Sequence, residues 1–85
     1  MLEYKLSITK SAQKQLDKLP ESISGMLIEA IHELKFNPRP QGSIRLKGRE
    51  GFRIRKGDYR IIYGIYDKIL VVEIIAVGNR RDIYD

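Results

Sequence analysis

Leu2, Tyr4, Leu6 and Ile8 alternate with Glu3, Lys5 and Ser7. A period of two predicts a half-buried strand. Thr9 follows as a candidate N-cap, and Ala12, Leu16 and Leu19 recur at i, i+4 and i+7, which predicts a short helix that Pro20 stops. Ile23, Leu27, Ala30, Ile31 and Leu34 form the stripe of a second helix. Asn37-Pro38 ends it, because the residue before a proline is pushed out of the α region. The tight connection between the helices predicts a helical hairpin. Beyond the Pro38–Gly42 loop the period returns to two. Ile44 and Leu46 alternate with Arg45 and Lys47, and Phe52 and Ile54 with Arg53 and Arg55, so apolar and cationic side chains point to opposite faces. Lys56-Gly57-Asp58 reads as a turn, with Gly57 supplying positive φ. Tyr59–Tyr66 and Ile69–Val77, joined at Asp67-Lys68, are apolar almost throughout and are expected to be central strands covered on both faces, with Gly78 breaking the last one.

The resulting order is β-α-α-β-β-β-β. It is an α+β fold with a mostly antiparallel sheet and an N-terminal helical hairpin packed on one face. The 85 residues fit one domain over 1–85, small enough to bury only about 60–65% of its unfolded surface. There is no repeat, low-complexity tract or linker. Cysteine is absent, which excludes a disulfide framework and a thiolate metal site. The apolar run from Ile69 to Val77 contains Glu73 and is too short to span a bilayer. No signal peptide is read, so the chain is expected to be soluble and cytoplasmic.

Charge changes the picture more through its placement than its size. Net charge is +5, yet residues 1–38 balance five lysines against five acidic residues. Residues 39–60 hold eight Lys or Arg against Glu50 and Asp58, a net of +6, and residues 61–85 sum to −1. A basic stretch this focused is the footprint of a polyanion, most often nucleic acid, although a solvated face has the same composition.

Several chemistries drop out. A lone histidine, His32, supplies no acid–base pair and sits where a solvated or helix-dipole role is the plain reading. Asp67, Glu73 and Asp82 lack metal-ligand spacing, and no phosphate-binding glycine loop is present. No metal or cofactor is expected. Glu50, inside the basic run, is expected to pair with a neighbouring arginine. What remains is a set of cations. Arg53 and Arg55 share one strand face, Arg60 lies across the turn, and Arg80 follows the last strand with Tyr84 one helical turn further on. Converging guanidinium groups suit a phosphodiester, binding its oxygens bidentately and stabilising the extra charge of a pentacoordinate transition state. A neighbouring tyrosine can stack on an exposed base.

Arg45-Leu46-Lys47-Gly48, Phe52-Arg53-Ile54-Arg55-Lys56-Gly57-Asp58-Tyr59-Arg60-Ile61-Ile62-Tyr63 and Val77-Gly78-Asn79-Arg80-Arg81-Asp82-Ile83-Tyr84 resemble the RelE branch of the RelE/ParE toxins over nearly the whole chain. The resemblance implies a type II toxin that cuts mRNA in the ribosomal A site by attack of the ribose 2′-OH on the adjacent phosphorus. Arg53, Arg55, Arg60, Arg80 and Tyr84 then stand at catalytic positions. Arg60 stabilises phosphate, Arg80 stabilises or protonates the leaving 5′-oxygen, and Tyr84 stacks on the nucleotide. Arg45, Lys47, Lys56 and Arg81 stand as RNA-binding residues. The implied partners are a cognate antitoxin, the ribosome and mRNA, with DNA reached only through the antitoxin. The chain departs at Asn79, where many relatives have histidine, and at Arg55, where some have lysine. A ParE-like inhibitor of DNA gyrase and an inactive homologue acting as co-repressor with its antitoxin remain alternatives.

Overall fold

The computed structural model describes residues 3–79 and 81. β1 (Lys5–Ile8) leads into α1 (Lys10–Asp17) and α2 (Glu21–Glu33), followed by β2 (Ile44–Arg45), β3 (Phe52–Lys56), β4 (Tyr59–Tyr66) and β5 (Val71–Asn79). Thr9 caps α1 as expected: its hydroxyl accepts from the Ala12 N–H at 3.1 Å and donates to the Ile75 carbonyl at 3.1 Å. The cap thus satisfies an orphan helix donor and also ties α1 to β5. α1 closes at Asp17, before Pro20, and Pro20 opens α2. α2 ends four residues earlier than Asn37. Its last turn tightens through Leu34 N–H to Ile31 O and Lys35 N–H to His32 O, the i→i+3 bonding that often finishes a helix.

The five strands form one sheet in the order β1-β5-β4-β3-β2. β1 pairs parallel to β5, and the other pairs are antiparallel. Ala12 and Leu16 of α1 and Leu27, Ala30 and Ile31 of α2 meet Ile54, Ile61, Tyr63, Val72, Ile74 and Val77 in the main core. On the far face Leu46 and Ile62 form a smaller cluster with Ile75 and Ala76. The register slips once: Ile62 faces Ala76 but Tyr63 faces Ile74, so Ile75 is the extra residue of a bulge. The middle of β4, Ile61–Gly64, is therefore buried on both sides, as its composition requires.

Three expectations need correction. The last strand runs over Val71–Asn79, not Ile69–Val77. Leu70 sits at φ 53 in the turn and Ile69 is 68% exposed, so the apolar run starts before the strand does. Gly78 does not break β5 but pairs with Arg60 inside the ladder. Ile44 and Leu46 do not share an environment. β2 stops at Arg45, Leu46 is buried and Ile44 exposed, because the chain then bends to Gly51. At φ 130 and with Leu46 and the Tyr63 carbonyl within 3.3 Å of a built Cβ, position 51 accepts only glycine without strain. Gly57 supplies positive φ (60) in the β3–β4 turn as expected.

Candidate functional site

The β3–β4 hairpin builds the site. Directly opposed residues in an antiparallel pair share a face, and Arg55 is opposite Arg60 while Arg53 is opposite Ile62. Alternation then places Arg53, Arg55 and Arg60 together on the face away from the helices. Two guanidinium groups directly across a ladder cost stability relative to a neutral pair, and an anion between them reverses that cost. Gly78 is next to Arg60 on β5 and adds no side chain over this part of the face. Arg53 is only 5% exposed, and the Nε atoms of Arg53 and Arg60 are shielded from solvent. Arg55 is exposed. The cluster thus grades from a buried guanidinium to an accessible one, which suits holding a phosphate at a fixed place.

The other basic residues are dispersed. Lys56 pairs with Tyr59 on the helix-side face, so it points away from Arg55. Arg45 is opposite Phe52, three residues or about 10 Å along β3 from Arg55. There it lines a hollow with Arg39, Glu50 and Tyr66. Lys47 is exposed in the loop after β2. Arg81 is exposed and lies by Gln15, Lys18 and Tyr59 beside α1. Its N–H donates to Asn79 Oδ1 at 3.0 Å, so the Asn79 amide serves a local turn. Arg80 and Tyr84 lie outside the described residues. Among the described residues no group of acidic or histidine side chains is placed to hold a metal ion, and no helix is long and apolar enough to cross a membrane. His32 is exposed on α2, edge-on to Phe36 at 5.8 Å.

Sequence reasoning missed the device that fixes the loop between α2 and β2. Arg39 makes a two-pronged contact with Asp67, at 2.9 and 3.3 Å, and lies over the Phe52 ring at 5.5 Å. The Tyr4 hydroxyl donates to the same carboxylate at 2.6 Å. Arg39, and next Tyr4, hold the Asp67 carboxyl below the usual carboxylate range, while the bond to Asp67 raises Tyr4. Tyr63, fully buried, donates to the Pro38 carbonyl at 2.8 Å, and burial pushes its hydroxyl up to about 12. Nothing local in the sequence links Arg39 to a carboxylate 28 positions away. Glu50, expected to pair with a neighbouring arginine, makes no ion pair with one among the described residues. Arg39 is engaged by Asp67, and Glu50 sits in an exposed loop.

A small α+β domain with a helical pair on one face of a mixed sheet and a cationic hairpin on the other is the architecture of a known toxin group. The family model for the ParE toxin of type II toxin–antitoxin systems (parDE) matches residues 6–84. Toxin RelE of Mycobacterium tuberculosis is 36% identical over 83 residues, covering 95% of this chain and 86% of the relative. The mRNA interferase toxin RelE of Escherichia coli is 28% identical over 83 residues, covering 94% of this chain and 86% of the relative. Among solved structures, the toxin–antitoxin complex RelBE2 of M. tuberculosis aligns with a TM-score of 0.83 and 32% identity over 94% of each chain. The chain belongs to the RelE/ParE superfamily and is a RelE-like toxin of a type II toxin–antitoxin system.

Proposed function

We propose that this chain, acting as a single domain over 1–85, is a ribosome-dependent endoribonuclease that cuts mRNA in the A site and is neutralised by a cognate antitoxin. The observation that carries the reading is the register of β3 and β4, with Arg55 opposite Arg60 and Arg53 on the same face. The E. coli relative is named an mRNA interferase, and the M. tuberculosis neighbour is a toxin–antitoxin complex. In this mechanism the ribose 2′-oxygen attacks the adjacent phosphorus and the 5′-oxygen leaves. Arg53, Arg55 and Arg60 stabilise the dianionic phosphorane, Arg80 stabilises the charge on the leaving 5′-oxygen, which takes its proton from water, and Tyr84 stacks on the nucleotide. Guanidinium keeps its proton at neutral pH, so the proton on the 2′-OH passes to water or to a ribosomal group. A site that lacks a strong base is slow on loose RNA. The ribosome supplies the missing factor by holding the strand in line.

A second reading, inhibition of DNA gyrase, is favoured by the ParE description of the matching family model. Induced expression of the chain alone, followed by mapping of mRNA 5′ ends, separates the two. Cuts in phase with the reading frame support the ribonuclease. Trapped gyrase and DNA breaks with intact mRNA support the alternative.

A further inference from the structure

β2 covers β3 only at Phe52 and Arg53, so the edge of β3 at Ile54–Lys56 has no strand beside it among the described residues. Two hollows open along that edge. One, of about 260 Å3, lies between α2 and β3 with Ala30, Leu34 and Ile54 as its apolar floor. The other, of about 400 Å3, runs past Gly42 and Ile44 to Arg53. They share Gln41, Ile54 and Arg55, which makes them one groove leading from the cationic face around the sheet edge to α2.

We propose that this groove is a nucleobase pocket: it takes the base adjoining the phosphate on Arg55, and Glu33, Asn37 and Gln41 read that base's hydrogen-bonding edge. The proposal rests on the ribonuclease reading for the identity of the strand and adds a subsite that fixes which base is accepted. Four features support it. An apolar floor with a few convergent polar groups is the usual form of a small-ligand site, and the flat face of a base fits the floor. The polar groups are of the kinds that read base edges: Glu33 accepts, and the two amides both donate and accept. Arg55 and Lys56 at the mouth suit the phosphodiester that a base must bring with it. The opposite wall is held in advance of binding. Asn37 Oδ1 accepts from the Arg39 N–H at 3.3 Å, which leaves its amide N–H groups to donate outward. The following loop is pinned through Pro38 to Tyr63 and through Arg39 to Asp67. A preformed wall reduces the ordering cost of binding.

Glu33, Asn37 and Gln41 are exposed, so substitutions there leave the core intact. The test maps mRNA 5′ ends in cells expressing the parent chain, Glu33→Gln, Asn37→Asp or Gln41→Ala. The variants are expected to change the base preference at one fixed position beside the cut by about fivefold or more, the discrimination one hydrogen-bonded base contact carries. Parental preference at every position in all three variants overturns the proposal. So does weakened antitoxin binding with unchanged preference, which makes the groove a protein-docking site. Failure of the ribonuclease reading is visible separately, as a parent chain that makes no in-phase cuts. Amide NMR titration of the parent with ApA, CpC, GpG and UpU then decides the pocket: saturable shifts at Asn37, Gln41 and Ile54 that differ between bases support it, and their absence overturns it.

Discussion

On the helix side of the β3–β4 hairpin lie Ile54, Ile61 and Tyr63. On the other side, one residue away along the same strands, lie Arg53, Arg55 and Arg60. The backbone is shared, and the strand period alone separates apolar from cationic side chains. The helix side is closed by α1 and α2 and carries stability. The cationic side sets two like charges directly across a ladder, an arrangement that stability alone disfavours. The buried layer of Ile54, Ile61 and Tyr63 lies directly behind the guanidinium groups, the kind of support that the proposed electrostatic stabilisation of a transition state requires.

The largest effect that sharpens this contrast is expected from Tyr63→Ala. The residue is fully buried, stacks near Phe52 with ring centres 6.0 Å apart and anchors Pro38. Its truncation should cost about 3–5 kcal/mol in urea unfolding. Arg55→Ala, across the same strand pair, should stay within about 0.5 kcal/mol by the same measurement. Equal losses would erase the distinction between the faces. Smaller is Thr9→Ala, which removes the cap to Ala12 and the bond to the Ile75 carbonyl. A loss of about 1 kcal/mol is expected, read as a lower urea midpoint at unchanged slope.

The smallest effect concerns pH. The Asp67 carboxyl is lowered in the folded chain by Arg39 and then Tyr4, so its contribution is present above the unfolded carboxylate value of about 3.9 and is lost as pH falls through the lower folded value. Asp67→Asn should flatten the acid limb of the stability curve and leave a small deficit at neutral pH, as fits an exposed pair. An unchanged acid limb would remove this latch from the account of the loop.

Much of the fold was legible because it depends on local periodicity. The alternation at Phe52–Arg55, the turn at Gly57, the bounds of β4 and the Thr9 cap all follow from neighbours in sequence. What was not legible depends on distant partners. Ile69 and Leu70 look like strand residues but belong to a turn, since the ladder with β4 begins at Val71. The parallel pairing of β1 with β5 joins segments 66 residues apart. The site was half legible. The common face of Arg53 and Arg55 follows from spacing, whereas the pairing of Arg55 with Arg60 needs the register and the burial of Arg53 needs the whole sheet. The groove beside Arg55 exists because β2 is only two residues long, and the alternating pattern from Ile44 to Lys47 gave no sign of that.

In the proposed reaction the cationic face of β3 and β4 acts through its charge. Single-turnover cleavage of mRNA on programmed ribosomes tests it directly, with the parent chain, Arg55→Ala and Arg55→Lys. Arg55→Ala is expected to slow the cleavage step by about 100-fold or more, with a smaller change in the concentration needed for half-saturation, because the charge is needed most in the transition state. Arg55→Lys is expected to retain substantial activity, since the positive charge survives. Cleavage by Arg55→Ala at the parental rate would remove Arg55, and with it the charge mechanism, from the site.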